Sequence, residues 1–263
     1  MAIKVVTIDF WNTLFDSRNG LERNQYRNKI LKQNFEEMGH NFSDDVYENA
    51  MQDSWKYFNT VWENEKRTPA TGELIQFFWD KLGVKPDEER LDNLIYLFEE
   101  SILKLQPELL PGVIENLPKL KEKYDLAVVS DTGFSPGKVL KVLLHRKKIM
   151  DHFSAFSFSD ETGVSKPHKK AFIPILDLFG CKPSEALHIG DIEKTDIAGA
   201  KALGMKAIRF AGDEQSYFHK KNPNKTNADA EAKHWDEIPK LIEKIDSETN
   251  TLFDNQQGDN NAK

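Results

Sequence analysis

What most limits the fold of this chain is a rhythm of short apolar runs and helical stretches that is interrupted once, for a long way. Runs at 3–9, 126–130, 186–190 and 206–210 are rich in β-branched and aliphatic residues and show little polar–apolar alternation. A strand that is apolar on both sides needs cover on both faces, which is the situation of a parallel sheet flanked by helices. A weaker run lies at 155–159. Helix-period stretches separate the runs, at 113–123, 137–150, 168–179 and 196–203, and Gly180 and Gly204 stand where helix C-caps belong. The alternation predicts an α/β fold with a doubly wound, Rossmann-like parallel sheet.

Between about residues 19 and 106 the rhythm stops, and no convincing strand is found. Four helical stretches fill the gap, at 21–38, 44–59, 71–82 and 86–105, with Gly39 and Gly83 as stop signals and Phe42-Ser43 as staple and N-cap. Pro107 and the Pro111-Gly112 turn mark the return. The expected organisation is an α/β core of residues 1–17 and 108–245, an all-helical cap of residues 18–107 inserted after the first strand, and a disordered Asn/Gln/Asp/Gly-rich tail at 246–263.

Bulk properties narrow the function. With 263 residues, 39% hydrophobic and 30% charged, the chain can bury a sizeable core. A formal net charge of −7 argues against nucleic acid or an anionic membrane as partner. A single cysteine, Cys181, excludes an internal disulfide and reads as a small buried residue. The N-terminus lacks a signal-peptide layout, and no run approaches the ~20 apolar residues of a membrane span. A cytoplasmic location is expected, in which the Asn-x-Ser/Thr triplets at Asn41 and Asn224 have no role. Oligomeric state is not set by these features.

In open α/β sheets ligands bind at the carboxyl ends of the strands. Asp9 ends the first run, Ser130-Asp131 the second and Gly190-Asp191 the third of the four strong runs; Asp196 follows five residues later, and Lys166 sits in a loop before a helix. A lone Asp or Ser at such a place usually serves a turn or a cap. Several projected to one edge are a different matter. Converging carboxylates need a cation, and hard oxygen donors suit Mg²⁺. The histidines at 40, 145, 152, 168, 188, 219 and 234 have no metal-ligand spacing. A carboxylate held beside a divalent cation can attack phosphorus, while a lysine and a hydroxyl hold the equatorial oxygens.

The segments Asp9-Phe10-Trp11-Asn12-Thr13-Leu14, Val128-Val129-Ser130-Asp131-Thr132-Gly133, Gly163-Val164-Ser165-Lys166-Pro167 and Gly190-Asp191-Ile192-Glu193-Lys194-Thr195-Asp196 resemble, in order, the four motifs of haloacid-dehalogenase-like hydrolases. The helical insert takes the place of that family's first type of cap. The resemblance implies a hydrolase, most simply a Mg²⁺-dependent phosphatase. Asp9 would be nucleophile and metal ligand, Ser130, Asp131 and Thr13 would face the phosphoryl group, and Lys166 would balance its charge. The Trp11 carbonyl and Asp191 would complete the metal site, with Asp196 as a further ligand or as support for Lys166 or a metal-bound water. Asn12 stands where the family often has Gly, a mild change because both tolerate left-handed backbone.

Trp11 is the main departure. The family's phosphatases usually carry there a second Asp that protonates the leaving group and activates water, and Trp can do neither. An aromatic at this position also occurs in the family's 2-haloacid dehalogenases, where the aspartate attacks carbon without metal. Those enzymes commonly have Asn after the motif-two Ser and lack the paired acidic fourth motif, whereas this chain has Asp131, Asp191 and Asp196. A C–X hydrolase and a weakly catalytic binding protein therefore stand as alternatives to the phosphatase. The insert holds Phe42, Tyr47, Trp55, Tyr57, Phe58, Trp62, Phe77, Phe78 and Trp79, expected mostly as helix-bundle core. A lid of this kind suggests a small phosphorylated substrate. Arg23, Arg27 and Arg67 read first as surface residues, with contact to an anion as the alternative.

Overall fold

The structure, a computed structural model, describes residues 2–85, 87–214, 216 and 225–248. Six strands, β1 (Val5–Ile8), β2 (Asp125–Ser130), β3 (Ala155–Phe158), β4 (Ala186–Gly190), β5 (Lys206–Phe210) and β6 (Ala230–Ala232), form one sheet in the order β3-β2-β1-β4-β5-β6. Every neighbouring pair is parallel. The weak run at 155–159 is thus a strand, and β6 is one that patterning does not reveal, because three residues of Ala-Glu-Ala carry no periodicity.

Strands β1 to β5 lack polar alternation because each feeds two apolar cores. Val6, Ile8, Leu126, Val128, Leu187, Ile189, Ile208 and Phe210 point into one. Val5, Ala127, Val129, Ala186 and Ala207 point into the other. The first is covered by α5 (Val113–Lys121), α6 (Gly137–Arg146) and a last helix at 238–248, α10. The second is covered by α8 (Ile173–Leu178) and α9 (Ala198–Leu203); α7 (Ser159–Thr162) is a single turn after β3. The stretch expected as helix over 168–179 is a 3-10 turn followed by α8, since Pro174 has no N–H and fits only a first helical turn. Helix α10 continues to 248, into the segment expected as tail, and Ile3 N donates to Asp246 Oδ1 at 2.8 Å. Pro86, Asn224, His219 and the tail from 249 on lie outside the described residues.

Four helices follow β1: α1 (Gly20–Glu37), α2 (Asp44–Glu65), α3 (Thr71–Leu82) and α4 (Glu88–Lys104). Helix α2 runs to Glu65 rather than 59, since nothing between 59 and Lys66 breaks it; Lys66 then turns left-handed at φ 54°. Their own core contains Leu31, Phe35, Tyr47, Phe78, Trp79 and Phe98, and it also takes in Phe134 from the loop after β2. The helices join the sheet through two antiparallel linkers: Leu110 N donates to Leu14 O and Asp16 N to Glu108 O, each at 2.9 Å. Among the described residues no helix is long and apolar enough to cross a membrane.

Candidate active site

The carboxyl ends of β1, β2 and β4 meet where the first and last of the helical block's linkers emerge, and the polar residues named above gather there. Asp9 is the first residue past β1, and its N–H extends the ladder to Ile189 O at 2.9 Å. Its carboxylate is buried and accepts from Lys166 Nζ at 2.5 Å. The same ammonium donates to Asp196 Oδ1 at 2.6 Å and to Val129 O at 3.1 Å, so all three of its protons are used. Lys166 is 3% exposed. An ammonium so deep is held only because its partners are charged.

Asp196 reaches Lys166 because β4 ends in glycine. A Cβ on Gly190 would lie 2.4 Å from the Asp196 carboxyl carbon, so any side chain there displaces it. Asp196 also accepts from His188 Nε2 at 2.9 Å, from Ile192 N at 3.1 Å and from Thr195 Oγ1 at 3.2 Å. His188 lies mid-strand in β4, fully buried, with its Nδ1 2.9 Å from Thr7 Oγ1. The result is a buried polar line, Thr7–His188–Asp196–Lys166–Asp9. Asp196 is therefore brought to Lys166, the supporting role. Its two oxygens accept four hydrogen bonds in all.

Asp131, expected to face a phosphoryl group, is engaged elsewhere. Its Oδ1 accepts from the Lys166 backbone N–H at 3.0 Å and its Oδ2 from Trp62 Nε1 at 2.7 Å. Trp62 belongs to α2, so Asp131 ties the helical block to the loop that carries Lys166. The tie is one of several. Ser165 N donates to Lys66 O at 2.7 Å, Thr68 Oγ1 is 2.5 Å from Ser159 Oγ, and Lys194 pairs with Glu63 while lying 5.1 Å above the Trp62 ring. The end of α2 and the turn after it thus touch the loops after β2, β3 and β4 together.

Ser130 is buried, with its hydroxyl only loosely engaged, 3.4 Å from Asp131 O. Thr13 is also buried and its hydroxyl has no hydrogen-bond partner, while its carbonyl accepts from Trp235 Nε1 at 2.7 Å. Asp191 is buried and accepts from Asn12 Nδ2 at 3.2 Å; Asn12 adopts the left-handed conformation, φ 57°, that its side chain tolerates. Trp11 packs its edge on Phe10 at 5.0 Å. Arg67 is not free to meet an anion, because Glu73 holds it through two hydrogen bonds of 2.8 and 3.0 Å. Cys181 is buried, and burial pushes its thiol up to about 11, as fits a packing residue.

The electrostatics is lopsided. Three buried carboxyl groups, Asp9, Asp191 and Asp196, and the half-buried Asp131 share one buried ammonium. Burial and the Asp196 charge push Asp9 up to about 6 against the pull of Lys166. Burial, then the Asp196 and Asp9 charges, raise Asp191 well above the carboxylate range. Burial lifts Asp131 to about 6, opposed by Lys166 and the Trp62 N–H. Only Asp196 is held low: despite burial, Lys166 and His188 keep it ionised. Lys166 is correspondingly raised, because Asp196, Asp9 and Asp131 outweigh its burial.

Sequence reasoning missed His188, Trp62 and Gly190. His188 was legible in one respect, as the only ionisable residue inside an otherwise apolar run. Trp62 gave no signal among so many aromatics.

A family profile described as haloacid dehalogenase-like hydrolase matches residues 3–204, a span that holds the whole polar line and both linkers. The chain belongs to that family. Among curated relatives, a glyceraldehyde 3-phosphate phosphatase of Pyrococcus furiosus is 40% identical over 101 residues, 38% of this chain and 41% of the relative. A ribulose-1,5-bisphosphate 5-phosphatase of Halopiger xanaduensis is 26% identical over 171 residues, 64% of this chain and 62% of the relative. The alignments with the first relatives thus span about two-fifths to half of their length. Of solved structures, a 2-haloacid dehalogenase from Pseudomonas syringae superposes with a TM-score of 0.66 at 21% identity, covering 92% of this chain and 99% of its own. A phosphatase of the family from Thermococcus onnurineus gives 0.62 at 18%, covering 91% and 98%. The fold is therefore the family's, and it serves both chemistries alike.

Proposed function

We propose that this haloacid dehalogenase-like protein is a Mg²⁺-dependent phosphatase of a small phosphorylated molecule, with Asp9 as nucleophile. One observation carries the reading: Asp9 and Asp191 are both buried and both pushed toward protonation, Asp9 by burial and the Asp196 charge, Asp191 by burial and the Asp196 and Asp9 charges, and so form a donor pair suited to a hard divalent cation. Among the described residues no three His, Cys, Asp or Glu side chains form a ready cage. Mg²⁺ usually takes only one or two carboxylates, with water and substrate oxygens for the rest. Asp9, Asp191 and the Trp11 carbonyl would hold it, and when bound it supplies positive charge that keeps both carboxylates ionised and offsets charge on the phosphoryl oxygens.

The chain's own residues do the rest. Lys166 holds Asp9 ionised and fixes one of its oxygens, leaving the other to attack phosphorus. The Asp9 carboxylate forms a P–O bond as the bond to the substrate oxygen breaks, and water then attacks phosphorus to release inorganic phosphate and restore the carboxylate. The Ser130 and Thr13 hydroxyls are the donors suited to the transferring group, the Thr13 hydroxyl having no other partner, while the Lys166 ammonium acts on it through its charge. Trp11 has no proton to give, so the reading favours substrates whose leaving oxygen is already acidic.

The test is hydrolysis of 4-nitrophenyl phosphate by the purified chain with and without Mg²⁺. The expected result is turnover that needs the ion and disappears in Asp9→Asn. Turnover equal in Asp9→Asn, or metal-independent chloride release from 2-chloropropionate, would overturn the reading.

A further inference from the structure

Helix α1 carries two arginines one turn apart, Arg23 and Arg27, and both are buried, at 7% and 5% exposure. A guanidinium taken out of water ordinarily has a carboxylate against it, since an unpaired buried charge is costly. Here every hydrogen-bond acceptor is neutral. Arg23 Nη1 donates to the Arg18 and Leu105 carbonyls at 3.0 and 2.9 Å. Arg27 donates through Nε to Ser101 Oγ at 2.9 Å and through Nη1 to Asn24 Oδ1 at 3.2 Å. The charges of Asp16 and Glu22 act on Arg23, but neither carboxylate hydrogen-bonds to it, and that of Asp16 is engaged by the Arg18 side chain and by the Arg18 and Glu108 N–H groups. After burial, the one charge that acts on Arg27 is Arg23, and the two together lower it to about 9. By contrast Arg67, on the same block, has Glu73 and Glu65.

The pair also faces a definite direction. The Arg23 guanidinium lies 6.0 Å from the ring centre of Trp11, and that of Arg27 lies 4.7 Å over Phe134. Trp11 is in the loop after β1, two residues past Asp9, and Phe134 is in the loop after β2, four residues past Ser130. Two like charges with no carboxylate hydrogen-bonded to either are therefore held against the loops that frame the candidate site.

We infer that Arg23 and Arg27 form an anion subsite in the helical block, and that the substrate carries a second anionic group, a carboxylate or a second phosphate, beside the phosphoryl group at Asp9. The inference rests on the phosphatase reading for its substrate, though not for the subsite itself. Trp11 and Phe134 flank the guanidiniums and exclude water from them, which strengthens a charged contact there. Fork-shaped donors match both a carboxylate and a phosphate.

Three phosphate esters of one shape test it: phenyl phosphate, 4-carboxyphenyl phosphate and 1,4-phenylene bisphosphate. The wild-type chain should favour a dianionic ester over phenyl phosphate by about tenfold or more in kcat/KM, through KM, a typical return for one charge-assisted contact. Whichever of the two esters gains more identifies carboxylate or phosphate as the group. Arg27→Gln and Arg23→Gln should each collapse the preference, and Arg27→Lys, which keeps a cation, should restore part of it and guards against a misfolded Gln variant. Equal kcat/KM for all three esters in the wild type, or a preference untouched by the Gln variants, would overturn the subsite while leaving the phosphatase reading intact. If no ester is hydrolysed, the phosphatase reading fails on its own. Calorimetric titration of phenyl phosphate and the bisphosphate then decides the subsite: tighter binding of the bisphosphate, lost in Arg27→Gln, supports it, and equal binding overturns it.

Discussion

Lys166→Met removes a charge that three acceptors depend on. The lysine is 3% exposed, and its ammonium sits 2.5 Å from Asp9, 2.6 Å from Asp196 and 3.1 Å from the Val129 carbonyl. Methionine has nearly the same length and apolar volume, so the change leaves no cavity and isolates the electrostatics. Deleting one partner of a buried ion pair leaves the other charge uncompensated and costs about 3–5 kcal/mol. At this chain length that is a fall in Tm of roughly 6–20 °C. The cost must depend on pH. Asp196 is held below the ordinary carboxylate range chiefly by Lys166 and His188, against burial, so its stabilising contribution is present above the unfolded pKa of about 4 and is lost as pH falls through the lower folded value. In the variant this contribution is gone, and Asp9 and Asp196 are both buried with less to keep them ionised. The gap between wild type and variant should be full at pH 7.5 and smaller at pH 3, below the unfolded carboxylate pKa. Urea unfolding of both proteins at the two pH values measures it. The same gap at both would refute the reasoning and make Lys166 a matter of packing.

Three other changes probe the arrangement. Gly190→Ala places a Cβ 2.4 Å from the Asp196 carboxyl carbon, and the displaced carboxylate should release Lys166 and lower kcat by about 10²-fold or more, seen in steady-state kinetics. Trp62→Phe keeps the aromatic packing but strips Asp131 of its 2.7 Å N–H partner; leaving that acceptor short should cost about 1–3 kcal/mol, read as a lowered melting temperature together with a raised KM as the helical block loosens. Trp11→Asp should raise turnover by about 10²-fold or more on an alkyl phosphate while changing 4-nitrophenyl phosphate little, because only the poor leaving group needs a proton. No gain on either ester would mean that the proton comes from another source.

Much of the α/β part was legible because its signals are local. Strands β1 to β5 each feed two apolar cores, so they appear as largely apolar runs, and glycine and proline punctuate the helices. Strand β6 was not legible, since Ala230–Ala232 is an edge strand whose partner, β5, gives it its conformation. The candidate site divides in the same way. Asp9, Ser130, Asp191 and Lys166 stand at strand ends or in a short loop, and their convergence follows from topology. What Asp131 and Asp196 do depends on which donor reaches them. Asp131 meets Trp62 from a helix 69 residues earlier, and Asp196 meets a histidine buried mid-strand. Those are tertiary facts with no sequence period. Likewise Arg23 and Arg27 read as surface residues by composition, and only packing reveals that they are buried with no carboxylate hydrogen-bonded to either.

The central claim is that Asp9 attacks phosphorus. Mixing the chain with Mg²⁺ and 4-nitrophenyl phosphate, quenching in acid during turnover and reducing with borohydride would convert an acyl phosphate at Asp9 to homoserine, which peptide mass spectrometry locates. The account predicts homoserine at position 9 that vanishes when Mg²⁺ or substrate is withheld. Phosphate release during which Asp9 stays an unmodified aspartate would contradict it.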